Sequence, residues 1–328
     1  MKKIENKNII ILGVLIILMA SIFSGCLGSD DGSNTIKYGG QYYPGEFVLE
    51  GKNFWSIYDL SVEHILFSSG SENNQALISG DVDINCGSDS KTVALFNAIP
   101  NDAVIIGTLQ KGDRYSTVVP KNSEYQSWMD LKGEKVGTRL GTGAEQVLRR
   151  YFEQNDSLDW DDFEWVNVKI EDMVSSLEGG SIKAFTAWEP TPGIAEAQGV
   201  GKILRTYGDI ALVPVSIHTT KTYAKDHKDD IVKFLAAQID KAEMIKNKPN
   251  EAAELAAKAA QEYGSDVSAE AFKKIFSRIN FSIEFNDKVL ASINDTAQFL
   301  YEQGKIESIP TISWDKSYLQ GAIELRKS

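Results

Sequence analysis

Four short stretches place small, hydroxyl-bearing or aromatic residues where a β-like run gives way to a helical one. They are Gly39-Gly40-Gln41-Tyr42-Tyr43-Pro44, Cys86-Gly87-Ser88-Asp89-Ser90, Leu140-Gly141-Thr142-Gly143 and Trp188-Glu189-Pro190-Thr191. Such stretches suit non-covalent capture better than bond making. A helix starts with backbone N–H groups that lack intrahelical partners, and its dipole favours an anionic group there by ~0.3–1 kcal/mol, up to ~2 when partly buried. Gly141 and Gly143 let the backbone approach a bound group, Thr142 offers a hydroxyl, and Arg139 closes the preceding strand beside them. Ser88, Asp89 and Ser90 repeat the arrangement. Trp188, on a turn stiffened by Pro190, could wall off a ligand, Glu189 could meet an amine, and Gln41, Tyr42 and Tyr43 could add amide, hydroxyl or ring contacts. The plain alternatives are capped turns for the two glycine- and serine-bearing loops, a core position for Trp188, a solvated Glu189, and one of the two tyrosines packed inward.

Other chemistries are poorly served. Cys86 has no identifiable base beside it, and lone cysteines more often act as small buried hydrophobes than as nucleophiles. His64, His218 and His227 are scattered without ligand spacing, and Cys26 and Cys86 are the only cysteines, so neither a metal nor a cofactor is expected. Lys+Arg number 34 against 46 Asp+Glu, a formal net charge of -12. Such a surface repels polyanions, and no basic cluster interleaved with aromatics offsets it, so nucleic acid is not an expected partner. An anionic small molecule is not excluded, because anion sites are built locally from backbone N–H groups.

The elements that must hold these loops alternate between strand and helix, the signature of an α/β fold. Strands are predicted at Thr35 to Tyr38, His64 to Phe67, Val82 to Asn85 and Val104 to Thr108, with helices at Glu72 to Ser79 and Lys91 to Ala98. A second series follows: strand Lys135 to Arg139, helix Ala144 to Gln154, strand Trp165 to Val168, helix Ile170 to Glu178 and strand Ala184 to Ala187. The extended pieces Ser116 to Pro120 and Leu212 to Ser216 flank this series and read as crossovers, so residues 118–212 form a lobe inserted between 35–117 and 213–328. The last third is helical. Ile231, Leu235, Ile239, Ala242 and Ile245 make one apolar stripe, Ala252 to Tyr263 is alanine-rich and stops at Gly264, and Asp287 to Gln303 stops at Gly304.

The N-terminus carries Lys2, Lys3 and Lys7 and then an apolar run from Ile9 to Phe23, short for a spanning helix and suited to a cleaved export signal covering residues 1–25. The alternative is a retained membrane anchor. Phe23-Ser24-Gly25-Cys26 resembles a lipoprotein signal, which implies lipidation of Cys26. Residues 26–34 have the Gly/Ser/Asp composition of a flexible tether. Removal of the signal would leave a net charge of about -14.

With the loops placed, the chain from Thr35 onward resembles the solute-binding proteins of nitrate/sulfonate/taurine/bicarbonate-type ABC importers. The resemblance is carried by Gln75-Ala76-Leu77-Ile78-Ser79-Gly80-Asp81-Val82-Asp83-Ile84, by Asp130-Leu131-Lys132-Gly133-Glu134-Lys135-Val136, by Gly141-Thr142-Gly143-Ala144, and by Leu177-Glu178-Gly179-Gly180-Ser181-Ile182-Lys183-Ala184 leading to Trp188-Glu189-Pro190. It implies two α/β lobes joined by a two-crossover hinge, with a small polar solute, anionic and sulfonate- or taurine-like, held in the cleft by the four loops. It also implies a permease and an ATPase as partners, a monomer lipid-anchored at the extracellular face of the membrane, and no chemical step. An enzyme alternative exists in the pyrimidine-synthase branch of the same superfamily, which uses a histidine, a pyridoxal-phosphate lysine and a cysteine-rich motif; that motif is absent here. A pyrimidine-precursor binder and a receptor feeding a signalling protein are further readings.

Overall fold

The computed structural model describes residues 35–327, so the apolar leader, Cys26 and the tether lie outside the described residues. β1 (Ile36–Gln41) runs into α1 (Pro44–Gly51) and pairs in parallel along all six residues with β2 (Val62–Phe67). This ladder carries β1 through Gly39-Gly40, where the sequence alone suggested its end. α2 (Gly70–Ser79) leads to β3 (Ile84–Ser88), and α3 (Asp89–Ala98) to β4 (Ala103–Gly112). β3 begins two residues later than expected because Asp81 and Val82 donate their N–H groups to Ala76 O and so belong to the turn that ends α2.

Only Asp113 and Arg114 separate β4 from β5 (Tyr115–Pro120), which belongs to a second sheet. That sheet is completed by β6 (Lys135–Thr138), β7 (Glu164–Asn167), β8 (Ala184–Trp188) and β9 (Gly201–Thr206), with α4 (Gly143–Glu153), α5 (Met173–Glu178) and α6 (Thr191–Ala197) between them. Residues 207–214 return the chain to the first sheet as β10 (Val215–Thr220). α7 (Lys221–Asp226), α8 (Lys228–Asn247), α9 (Pro249–Glu262), α10 (Ala269–Arg278), the short β11 (Ile279–Asn280), α11 (Asp287–Glu302) and α12 (Ser317–Leu325) follow. Of the runs expected to be crossovers, 116–120 lies within β5, whereas 212–216 spans the end of the return passage and the start of β10, and the first passage between sheets is only two residues long.

The first sheet has the order β2-β1-β3-β10-β4-β11 and the second β7-β6-β8-β5-β9. In each, three parallel strands are followed by one antiparallel strand, and that strand is the one entered from the other sheet: β10 in the first, β5 in the second. The fold is thus two α/β lobes joined by two passages. Both faces of each sheet are covered, as the period of two in strand side chains requires. Val104 and Ile106 of β4 enter one core cluster and Ala103 and Ile105 another, while Tyr115 and Val119 of β5 are separated in the same way from Val118. On α8, Ile231, Leu235 and Ile245 are buried as the apolar stripe predicts, with Ile239 and Ala242 packed at its border. Among the described residues no helix is long and apolar enough to cross a membrane.

A buried charged cluster fixes α1, whose first residues reach the candidate site. His64 of β2 places Nε2 2.9 Å from Glu46 Oε2 and Nδ1 2.6 Å from Glu50 Oε1, and its ring stacks on Tyr38 at 4.8 Å. These contacts pair the imidazole with both carboxylates. Lys241 Nζ lies 3.9 Å from Glu46 Oε1 and donates to Gln238 Oε1 at 2.6 Å. Burial opposes the charged imidazole, but Glu46 and then Glu50 outweigh it and raise the His64 pKa to about 9. A pKa raised above the unfolded value of ~6.5 gives stability that is complete below that pH and is lost as pH rises through about 9. His64→Gln is therefore expected to cost roughly 1–3 kcal/mol more at pH 6 than at pH 10 in urea unfolding. An equal loss at both would leave packing on Tyr38 as the only contribution.

Candidate functional site

The carboxyl ends of β1, β3 and β4 lie along one edge of the first sheet, and those of β6, β8 and β9 along one edge of the second. The passage from Gly112 to Tyr115 links these edges directly, because β5 starts opposite the last residue of β8. Arg114 sits in that passage and is 1% exposed. Its Nη2 donates to Tyr115 Oη at 3.0 Å, whereas Nε and Nη1 have no hydrogen-bond acceptor. The guanidinium carbon lies 5.6 Å from the ring centre of Tyr43 and 4.8 Å from that of Tyr115, both within cation–π range.

The first two loops approach Arg114 from the first lobe. Tyr43 caps the start of α1 without a side-chain cap bond; its hydroxyl donates to Gln41 Oε1 at 3.0 Å and accepts from Gln41 Nε2 at 3.2 Å. Both residues are buried, and burial raises the pKa of the Tyr43 hydroxyl, so it remains a neutral donor. Tyr42 is 41% exposed and packs edge-on against Tyr263, away from Arg114. Ser88 caps α3 without a side-chain cap bond, its hydroxyl 3.3 Å from that of Ser90. Asp89 is fully buried: Oδ1 accepts from Ser90 N at 2.9 Å and Oδ2 from Thr296 Oγ1 at 2.7 Å, while burial pushes its carboxyl pKa up.

The other two loops belong to the second lobe. Tyr115 and Trp188 are register partners with rings edge to face at 6.3 Å, and Trp188 is half-buried rather than core. Gly143 must be glycine for a local reason: a Cβ there would collide with Tyr115 Oη. Gly141 adopts a φ of 76°, in the region that favours glycine, and donates its N–H to Glu145 Oε2 at 2.7 Å. Thr142 uses its hydroxyl as a cap, donating to Arg139 O at 2.6 Å and accepting from Ala144 N at 3.3 Å, so its proton is not free for a ligand. Arg139 is half-exposed and reaches Asn167 Oδ1 at 3.4 Å.

Glu189 is neither solvated nor free to meet an amine. It is buried, its Oε2 accepting from Gly193 N at 2.9 Å and its Oε1 from Arg278 Nη2 at 2.6 Å, while Arg278 Nη1 donates to Glu196 Oε2 at 2.6 Å. Burial raises the Glu189 pKa against the opposing pull of Arg278. This pairing joins α10 of the first lobe to α6 of the second. A second bridge runs from Gln146 Nε2 of α4 to Thr296 Oγ1 of α11 at 2.8 Å, and on to Asp89. The lobes are thus in contact on both sides of Arg114.

The structure brings together Gln41, Tyr43, Asp89, Gly143 and Trp188 around Arg114 and Tyr115, with Ser88 and Ser90 flanking Asp89. The side chains of Tyr42, Arg139 and Glu189 do not join that group, although the Glu189 N–H donates to Arg114 O at 2.9 Å. Arg114, Tyr115, Arg278 and Thr296 escaped the sequence reading; the one available signal was a charged pair, Asp113-Arg114, between two strand-like runs. Cys86 is fully buried and burial pushes its thiol pKa well up, so no thiolate nucleophile is at hand. Among the described residues no cluster of His, Cys, Asp and Glu could hold a metal ion. A groove of about 1080 Å³ between α8, α10 and α12 contains no residue of the four loops.

A family model described as NMT1/THI5 like matches residues 42–252. The chain is 23% identical over 338 residues, 98% of each chain, to a protein of Bacillus subtilis named a putative aliphatic sulfonates-binding protein. Among solved structures it resembles the periplasmic aliphatic sulphonate binding protein SsuA of Escherichia coli, with a TM-score of 0.72 and 21% identity over 86% of this chain and 94% of that one. The desulfurization enzyme DSZB also shares the fold, with a TM-score of 0.67 and 14% identity over 89% and 99% of the two chains.

Arg278→Ala would leave the buried Glu189 carboxylate without its cation, a change that costs about 3–5 kcal/mol for a buried pair. Urea unfolding should show a loss of that order, with most of it recovered in the double variant Arg278→Met/Glu189→Gln. A loss below about 1 kcal/mol would mean that solvent replaces the pairing.

Proposed function

The chain belongs to the NMT1/THI5-like family, and on that premise we propose that it is the extracytoplasmic receptor of an ABC importer, enclosing a small sulfonate- or taurine-type solute between its lobes. The observation that carries this reading is the meeting of two strand edges at one aromatic-walled point. Tyr115 and Trp188 supply ring surface from one lobe, and Gln41, Tyr43 and Ser88 supply polar groups from the other. Ligands of open α/β sheets lie at such carboxyl edges, and here two edges share one position. The names of the Bacillus and Escherichia relatives support the sulfonate class.

In this reading the first lobe comprises 35–112 with 215–328 and the second 115–206. Lipidation at Cys26 and the tether 26–34 hold a monomeric body at the outer membrane face, where the closed form engages a permease coupled to an ATPase. No reaction is assigned to the chain. The shared fold with DSZB makes turnover the alternative outcome, and the buried, protonated Cys86 argues against it.

A thermal-shift panel of alkanesulfonates, taurine, nitrate, bicarbonate, amino acids and pyrimidine precursors tests the proposal, since a ligand bound only by the folded state raises its stability by mass action. One sulfonate hit, unchanged on incubation by mass spectrometry, is expected; a hit confined to neutral heterocycles, or conversion of the ligand, would end the reading. Trp188→Ala should weaken binding at least about tenfold while shifting the unliganded midpoint little, as befits a half-buried aromatic wall. Equal loss of folding and binding would make Trp188 a core residue.

A further inference from the structure

We propose that Arg114 is the residue that grips the acid group of the solute, and hence that the ligand is an organic anion held at the passage between the lobes. The inference deepens the receptor reading above and depends on it. Arg114 was not among the residues recognised from sequence, and none of the four loops contains it.

Arg114 is a buried cation with unused hydrogen-bond donors. A guanidinium is always charged and carries five N–H donors. In Arg114 one nitrogen bonds a neutral phenol, and the donors of Nε and Nη1 reach no acceptor although the side chain is buried. No carboxylate lies within ion-pair distance among the described residues. Asp89, the acid that faces it, has its oxygens engaged by Ser90 N and Thr296 Oγ1. The ring faces of Tyr43 and Tyr115 return only part of what the cation loses on leaving water. Arginines buried for structural reasons have their donors satisfied by carbonyls or carboxylates, and unsatisfied buried donors ask for a missing partner.

Position identifies that partner. Arg114 has Tyr43 of the first loop on one side, Asp89 of the second facing it, and Tyr115 on the other side, which in turn touches Gly143 of the third loop and Trp188 of the fourth. An oxyanion placed against Nε and Nη1 lies beside the first two loops and is linked through Tyr115 to the other two. A sulfonate has three oxygens and can accept from more than one nitrogen at once. Because Arg114 belongs to the passage itself, an anion seated on it touches both lobes, which ties neutralisation of the cation to their closure.

The test is calorimetric titration of the wild-type protein, Arg114→Met and Arg114→Lys with ethanesulfonate, taurine, propionate and the neutral isostere ethanesulfonamide, with unliganded melting curves for each protein. Wild type should bind at least one anion and reject the sulfonamide. Arg114→Met should lose that binding by about 100-fold or more, Arg114→Lys by less, as expected when charged hydrogen bonds are removed or only weakened. The unliganded melting temperature of each variant separates loss of binding from loss of folding. Binding by Arg114→Met within threefold of wild type, wild-type binding of the sulfonamide alone, or no binding of any member would overturn the inference. If Arg114→Met does not fold, Arg114→Lys decides: it retains a cation, and unchanged affinity there is equally fatal. Binding of propionate but no sulfonate, lost in the Arg114 variants, would discard the sulfonate assignment and leave the role of Arg114 standing.

Discussion

Two residues of chain join the sheets, and that shortness governs the molecule. β4 ends at Gly112 on the carboxyl edge of its sheet, and β5 begins at Tyr115 on the carboxyl edge of the next. With ~3.8 Å between successive Cα atoms, the two edges cannot separate far at this point whatever the lobes do elsewhere. The return passage, 207–214, ties the end of β9 to the start of β10 and holds the same edges together a second time. Loops that follow parallel strands are therefore obliged to face one another, and no long-range attraction is needed to assemble the site.

The same constraint explains why the groups at the passage are buried. A side chain on a two-residue connection between two packed sheets has neighbours on both sides, so Arg114 is enclosed there, and Tyr115 beside it belongs to the core of the second lobe. Away from the passage, contact between the lobes is made by side chains. Arg278 with Glu189 and Glu196, and Gln146 with Thr296, are polar pairings enclosed between the lobes, and beside the first of them Ile194 of α6 packs against the apolar core of the first lobe.

How much of this was legible in the sequence follows from distance along the chain. Strands and helices were readable because their signals are local: the apolar stripe of α8, the glycine stops after α9 and α11, and the loop Gly141-Thr142-Gly143 before α4. Errors of one to three residues at β1 and β3 arose where a tertiary ladder or a turn bond decided the boundary. The site was legible only as a set of loop positions. Glu189 was misread as solvated because its cation lies 89 residues further on, and the acceptor role of Asp89 rests on a threonine 207 residues away. Arg114 left almost no trace, since its burial follows from two strands joining different sheets, a property that neither β4 nor β5 reveals by itself.

A chain with a formal net charge of -12 that is read as taking up an anion calls for a physical account, and the depth of the passage supplies one. Surface charges act through water and salt, where a Debye length of about 8 Å confines their reach at physiological ionic strength. An enclosed cation acts through a medium of lower effective dielectric, where the same charge counts several times more per ångström. The acidic exterior therefore slows the approach of an anion only modestly, whereas the local field at Arg114 governs whether it stays. The exterior and the site can thus carry opposite signs: solubility is set by the many exposed carboxylates, and retention by one guanidinium that water does not reach.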